Sequence, residues 1–318
     1  MIKIIADSTC DLPDWVLEKY NINTAPLSII INGTTYFDRI DIQPNELYNQ
    51  LMGLKTNPTT AMPSPNAFLE LMEDAVESGF DEILCICMSS GTSGSYQSAV
   101  IAKELFFENR PNTDVKIHIV DSLCMSHGSG YLILKSAIML EKGMNFEELV
   151  SFNETFKKNV KHFLSVDDLD NLIRSGRLTN TSAMIGKLLK IKPIMSMRDG
   201  KGAIVAKERG RKNVMSHYIR EFLNRNDTEL TEFVIIGYTS DISVAENLKV
   251  RLQQETSFDG EIYIMQMGVS VGVHVGLGGL SMYFIEKDRA HDGLFANEVQ
   301  HWIQKRNDFL NNWKRLKE

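Results

Sequence analysis

Five hydroxyl side chains and two glycines fall within the seven residues Ser89-Ser90-Gly91-Thr92-Ser93-Gly94-Ser95. The stretch directly follows the apolar run Ile83-Leu84-Cys85-Ile86-Cys87-Met88, which has the length and composition of a buried strand. After it, Tyr96 to Phe107 reads as a helix with Ala99, Ile101, Ala102 and Leu105 as apolar positions. A turn of this kind can hold a small anion. The helix start offers unpaired N–H groups and a partial positive charge. Glycine lets a ligand approach the backbone, and hydroxyls add rotatable donors. An ordinary capped turn is the competing reading. Gly91-Thr92-Ser93-Gly94 is not a nucleophile elbow, since its second glycine comes one residue early. No Gly-x-x-x-x-Gly-Lys-Ser/Thr pattern supports a P-loop.

A second chemical candidate is His274, within an uncharged segment from Ile262 to Ile285. That segment is long enough to cross a bilayer, and Gly268, Gly272 and Gly276 repeat Gly-x-x-x-Gly spacing. Gln266, His274 and the Gly278-Gly279 break argue against a span, as do the flanking Glu261 and Glu286. The expectation is a strand (Ile262–Met267), a buried glycine-rich loop carrying His274, and a second strand (Leu280–Ile285). For His274 alone, a buried histidine satisfied by backbone is the plainer alternative.

The elements that would position these groups alternate strand and helix. Ile2–Ala6 reads as a strand, Pro13–Tyr20 as a helix, and Thr24–Ile31 with Thr34–Phe37 as a hairpin about Asn32-Gly33. Pro44–Leu54 is helical, and Ser64-Pro65 opens a helix to about Glu77. Val115–Val120 is a strand ending at Asp121-Ser122, and Ser129–Lys142 is a helix stopped by Gly143. This alternation implies a parallel sheet covered on both faces. The loops at Asp7-Ser8-Thr9, Ser89–Gly94 and Asp121-Ser122 then share the rim where ligands sit. The second half has a strand at His162–Val166, and helices at Leu169–Arg174 and Ser182–Leu189. A hairpin follows about Asp199-Gly200, with further strands at Phe233–Tyr238 and Glu261–Met267 around a helix near Val244–Gln253. The fold class is α/β, with two α/β domains: residues 1–160 on a three-layer parallel sheet and 161–290 on a mixed sheet. Residues 291–318 form an amphipathic helix extension striped by Phe295, Val299, Trp302, Phe309, Trp313 and Leu316. Docking on its own chain is expected of that stripe, with a partner contact as the alternative.

The net charge of −7 gives no basic surplus for nucleic acid. Cys10, Cys85, Cys87 and Cys124 lack metal-knuckle spacing and read as small hydrophobes in a reducing cytoplasm. The first residues, Met1 to Asp7, read as a strand that soon meets an acid, not as a signal peptide. No metal, cofactor or stable membrane span is expected.

Several segments together resemble the DegV family of bacterial fatty-acid-binding proteins. They are Asp7-Ser8-Thr9-Cys10-Asp11-Leu12-Pro13, Thr60-Ala61-Met62-Pro63-Ser64-Pro65, Ser89 to Ala99, and Val271 to Leu280. Ser175-Gly176-Arg177-Leu178, followed by Gly186 to Ile194, adds a fifth. The resemblance spans nearly residues 1 to 285. It implies two α/β domains holding a lipid between them, similar to dihydroxyacetone kinase subunits in fold. It also implies that Thr60, Ser93 and His274 hold the carboxylate of a long-chain fatty acid. N–H groups near Gly94 would assist, and the glycine loop including Gly276 would pack close to the head group. A separate fatty acid kinase would phosphorylate the bound acid. Arg209 is the nearest match to an arginine involved in that transfer, with Arg211 two residues away. The chain would then be a carrier and not an enzyme. The alternative is a lipid or ester hydrolase using Ser93 and His274, for which no third orienting group stands out. A tail of about fifteen methylenes at ~0.8 kcal/mol each supplies a gross ~12 kcal/mol, an upper bound before ordering costs. The chain departs from the pattern at Ala61-Met62, where members commonly carry Ser-Gln, and at His127.

Overall fold

The computed structural model describes residues 1–54, 56–179, 191–287 and 307–313. The expected helix Ser182–Leu189 and most of the C-terminal stripe lie outside the described residues.

The first half builds a four-stranded parallel sheet in the order Asn23–Ala25, Ile2–Asp7, Glu82–Cys87, Lys116–Asp121. Its two central strands, Ile2–Asp7 and Glu82–Cys87, are almost wholly buried, which is why they read as unbroken apolar runs and not as alternating ones. Beside it lies a three-stranded antiparallel sheet, Thr34–Phe37, Ser28–Ile31, Thr59–Ala61. The hairpin at Asn32-Gly33 forms as expected, with φ of 51° and 84° at the two turn residues. The expected strand Thr24–Ile31 does not run through, however. Pro26 lacks an N–H, so the chain leaves the parallel sheet after Ala25 and resumes at Ser28 in the other sheet.

The second half folds into a seven-stranded mixed sheet. Its order is Glu261–Gln266, Phe233–Tyr238, Leu280–Ile285, Val160–Ser165, Ile191–Arg198, Lys201–Arg209, Leu178–Thr179. The hairpin about Asp199-Gly200 is present, with φ of 48° and 75° at its tip. One face of this sheet buries Ile236, Met282 and Phe284 beneath the helices Arg211–Arg225 and Ile242–Glu255. The other face, through Ile235, Tyr283 and Ile285, shares a core with the first half.

The helix His127–Glu141 joins the two sheets. It touches strands of both, and nearly every residue from His127 to Ala137 is buried. A helix apolar all round belongs inside a structure. Its buried Lys135 reaches Glu232 at 2.8 Å and the carbonyl of Leu230 at 3.1 Å. Residues 307–313 dock on the same body. Trp313 is buried, Lys135 and Lys142 sit over its ring, and Phe309 packs between Phe152 and Phe156. Among the described residues no helix is long and apolar enough to cross a membrane.

Candidate ligand-binding site

The expected shared rim exists and is tied together by carboxylates. Asp7 Oδ2 accepts from the Met88 amide at 2.9 Å, and Asp121 accepts from both the Ser90 amide and the Ser90 hydroxyl. The serine turn is organised around Ser89, which is fully buried. The Ser89 carbonyl accepts from the amides of Thr92 and Ser93. Its hydroxyl donates to the Gly200 carbonyl at 2.6 Å, which pins the turn to the hairpin tip of the second sheet. Gly91 is required here, since a Cβ would stand 2.6 Å from that same carbonyl. The sequence reading passed over Ser89, because a long-range tie leaves no local signature.

The helix after the turn runs Ser95–Asn109 with Gly94 as its N-cap residue. Ser93 Oγ accepts from the Ser95 amide at 3.2 Å and lies 3.0 Å from Ser95 Oγ. Ser93 therefore stands at the positive end of a fifteen-residue helix. Met62 packs on Gly94, so closely that any Cβ there would displace its sulfur.

The expected glycine-rich loop around His274 is instead a short helix, Val269–Val275. Alternating valines and glycines argue against helix on local propensity. Tertiary packing overrides that preference. Gly272 lies under the Tyr48 ring, where a Cβ would be 2.5 Å from the phenol oxygen. Tyr48 in turn donates to the Met267 carbonyl at 2.9 Å, just before the helix. Gly276, with φ of 74°, ends the helix in a conformation that favours glycine, and its amide donates to Gly272 O. Gly272→Ala is expected to lower stability by about 1–3 kcal/mol through overpacking, although alanine is the better helix former. A melting temperature at or above the parent's would refute this close approach.

The helix presents Ser270, Val271, His274 and Val275, with Met267 just before it, to one cavity, which holds about 1110 Å³ of empty space, part of it open to solvent. Thr60, Ser93 and Gly94 line the same cavity from the first half of the chain. Thr60 lies on the edge strand Thr59–Ala61, and its Oγ1 is 2.9 Å from His274 Nε2. Thr60 and His274 thus meet across more than two hundred residues of sequence, and Ser93 and Gly94 line the same cavity. Gly276 caps the helix and is not on the cavity wall. Arg209 is exposed at the end of Lys201–Arg209 and is also off the wall. Arg211 binds Asp167 and the Gly278 carbonyl, each at 2.6 Å.

Arg177, read from the sequence only as part of a family-like segment with no role of its own, also lines the cavity. Among the described residues that line the cavity, it alone carries a full charge. Burial, and then the charge of Arg177, push the His274 pKa down to about 4. The imidazole is therefore neutral at pH 7, with one nitrogen able to donate. Hydroxyls, a neutral imidazole, a helix N-terminus and a guanidinium are the kinds of donor and charge that a buried carboxylate requires. Much of the remaining wall is soft and apolar: Met62, Met88, Met125, Met195, Met197 and Met267 line it with leucines and valines, beside a few buried polar groups such as Ser126, His162 and Tyr283. His274 Nε2, the nitrogen a hydrolase would use on Ser93, faces Thr60 instead.

Comparison with known proteins fits this arrangement. Residues 1–287 match the family described as "Uncharacterised protein, DegV family". The chain belongs to the DegV family. A DegV domain-containing protein of Clostridium acetobutylicum is 36% identical over 290 residues, covering 90% of this chain and 99% of that one. Among solved structures, a fatty-acid-binding DegV family protein from Thermus thermophilus superposes with a TM-score of 0.80 at 25% identity. That match covers 90% of this chain and 99% of the other. A stearic-acid-binding protein from Eubacterium ventriosum also gives 0.80, at 28% identity and the same coverage. DegV from Bacillus subtilis, described as a fatty acid binding protein, gives 0.78 at 27% identity over 90% of this chain and 99% of that one. The α/β fold is thus the DegV fold, and the family match stops at residue 287.

Proposed function

We propose that this DegV protein binds a long-chain fatty acid between its two sheets. The observation that carries the reading is one cavity lined by the Thr60–His274 pair, by Ser93 and by six methionines. Ser93 donates to the carboxylate, and so does the Thr60–His274 pair, which keeps one further proton after the hydrogen bond the two share, with amides of the helix start at Gly94 alongside. Arg177 offsets its charge, which limits the cost of taking a carboxylate out of water. The tail lies among the methionines, whose flexible thioethers adapt to chains of different length and unsaturation. The fatty-acid-binding DegV structures from other bacteria support the same ligand class.

The protein acts as a carrier, and a separate fatty acid kinase converts the bound acid to an acyl phosphate. This part rests on the family resemblance, with exposed Arg209 at a position a partner can reach. The test is native mass spectrometry of the purified chain, then organic extraction and identification of the released molecule. A bound fatty acid is expected, and acyl phosphate should form only when a kinase and ATP are added. A chain that is empty and takes up none of a panel of long-chain acids would overturn the reading.

A further inference from the structure

The cavity wall is not apolar along its whole length. The cavity face of the helix Val269–Val275 gives it a direction. Near the helix C-terminus stands the Thr60–His274 pair. At the N-terminus Gly268 abuts Asp11, with space for a Cβ filled by Asp11 Oδ1 at 2.4 Å. Asp11 Oδ2 accepts from Ser126 Oγ at 2.5 Å. Gly268 and His274 are six residues apart, which is about 9 Å of helix rise. A second polar group of side chains, tied through Asp11 to the Gly268 end, thus lies towards the other end of this helix from His274.

Ser126, Tyr283 and His162 form it, all lining the cavity and all at most 6% exposed. Tyr283 and His162 are cross-strand partners whose rings meet edge to face at 5.3 Å. The Tyr283 hydroxyl faces Ser126 and Ser281. Ser126 is held with φ of 54° and ψ of −142°, a costly conformation for a residue with a side chain. Its hydroxyl bonds Asp11 Oδ2, and its oxygen has lone-pair capacity to accept a further hydrogen bond.

A plain alkyl chain passing this point adds nothing to the bonds these hydroxyls make with Asp11, Ser281 and each other, whereas a ligand oxygen would add to them. We propose that Ser126 and Tyr283 recognise an oxygen function in the middle of the acyl chain, so that the preferred ligand is a mid-chain hydroxy or oxo fatty acid. A ligand hydroxyl would donate to Ser126 Oγ and accept from the Tyr283 phenol. A site that hydrogen-bonds a substrate oxygen rejects the analogue lacking it by far more than one methylene is worth. Here the wall groups are partly paired with each other, so a moderate preference is expected.

This inference rests on the fatty-acid reading, and the experiment separates the two. The full-length chain, stripped of lipid, is titrated with stearic, 3-hydroxystearic, 10-hydroxystearic and 12-hydroxystearic acids. At least one mid-chain isomer should bind roughly 10-fold more tightly than stearic acid. The 3-hydroxy isomer, whose oxygen lies beside the head group, should gain nothing. In Tyr283→Phe, and separately in Ser126→Ala, the ratio of mid-chain hydroxy to plain affinity should fall towards one. Stearic acid binding as well as or better than every mid-chain isomer overturns this inference and leaves the fatty-acid reading standing. A ratio unchanged in both variants does the same. Failure of all four acids to bind overturns both.

Discussion

Ser93→Ala combined with His274→Ala should weaken binding of a long-chain fatty acid at least 100-fold at pH 7. Each replacement removes one donor to a buried carboxylate, and a hydrogen bond to a charged group contributes about 1.5–3 kcal/mol. The two groups act on one carboxylate, so their effects need not add. The tail still contributes its apolar burial, and residual binding should therefore persist and follow chain length. The pH dependence gives an independent check. Because burial and Arg177 hold His274 near a pKa of about 4, its contribution should stay level between about pH 6 and 8. Calorimetric titration of the lipid-free proteins across that range measures both effects. Affinity in the double variant equal to the parent's would remove the head group from this end of the cavity. A steep rise in the parent's affinity on lowering the pH through about 6.5 would contradict a neutral His274.

The second large effect concerns stability. Asp11 is fully buried, and burial pushes its pKa up to about 8. In the unfolded chain it titrates in the ordinary carboxylate range near 4. Between those values the folded protein binds the extra proton, so stability is lost as pH rises through the window. One such group gives a slope of a little over 1 kcal/mol per pH unit. Asp7 and Asp38, also raised by burial, act in the same direction. His127, lowered to about 3 by burial, and His274 act oppositely. Their folded forms reject a proton the unfolded chain accepts, so they cost stability as pH falls below about 6.5. The interval from about pH 6.5 to 8 therefore isolates the acids. Asp11→Asn keeps the shape of the protonated acid and removes its titration. The variant should flatten the decline by about one proton and be more stable than the parent by about 2 kcal/mol at pH 8, relative to their difference at pH 6.5. Denaturant unfolding at several pH values measures it. Parallel stability curves for parent and variant would show that Asp11 is ionised in the folded state throughout.

Much of this protein was legible in the sequence, where the deciding interactions are local. Unbroken apolar runs such as Ile83–Met88 mark strands buried on both faces, because such strands have no solvent side to alternate with. Asn32-Gly33 and Asp199-Gly200 mark hairpins, because their left-handed conformations are costly for most other residues. The hydroxyl-rich turn before Ser95 marks a helix N-terminus, where unpaired amides attract polar side chains. Ordered motifs from Asp7 to Leu280 pointed to the DegV family, and with it to a fold and a ligand class. What remained undecided was everything set by contacts between distant residues. The segment from Gly268 to Gly276 has poor helix propensity and becomes a helix because Tyr48 fills the space a side chain at Gly272 would need. Arg177 carries no local sign of function, and only the packing of its strand region against the cavity puts its charge near His274. The same holds for Ser89, which ties the first half to Gly200 across 111 residues. Local patterns therefore determined which elements form and which family they compose. Tertiary packing decided which side chains share a cavity, and whether each is charged there, because burial and neighbouring charge depend on the whole fold.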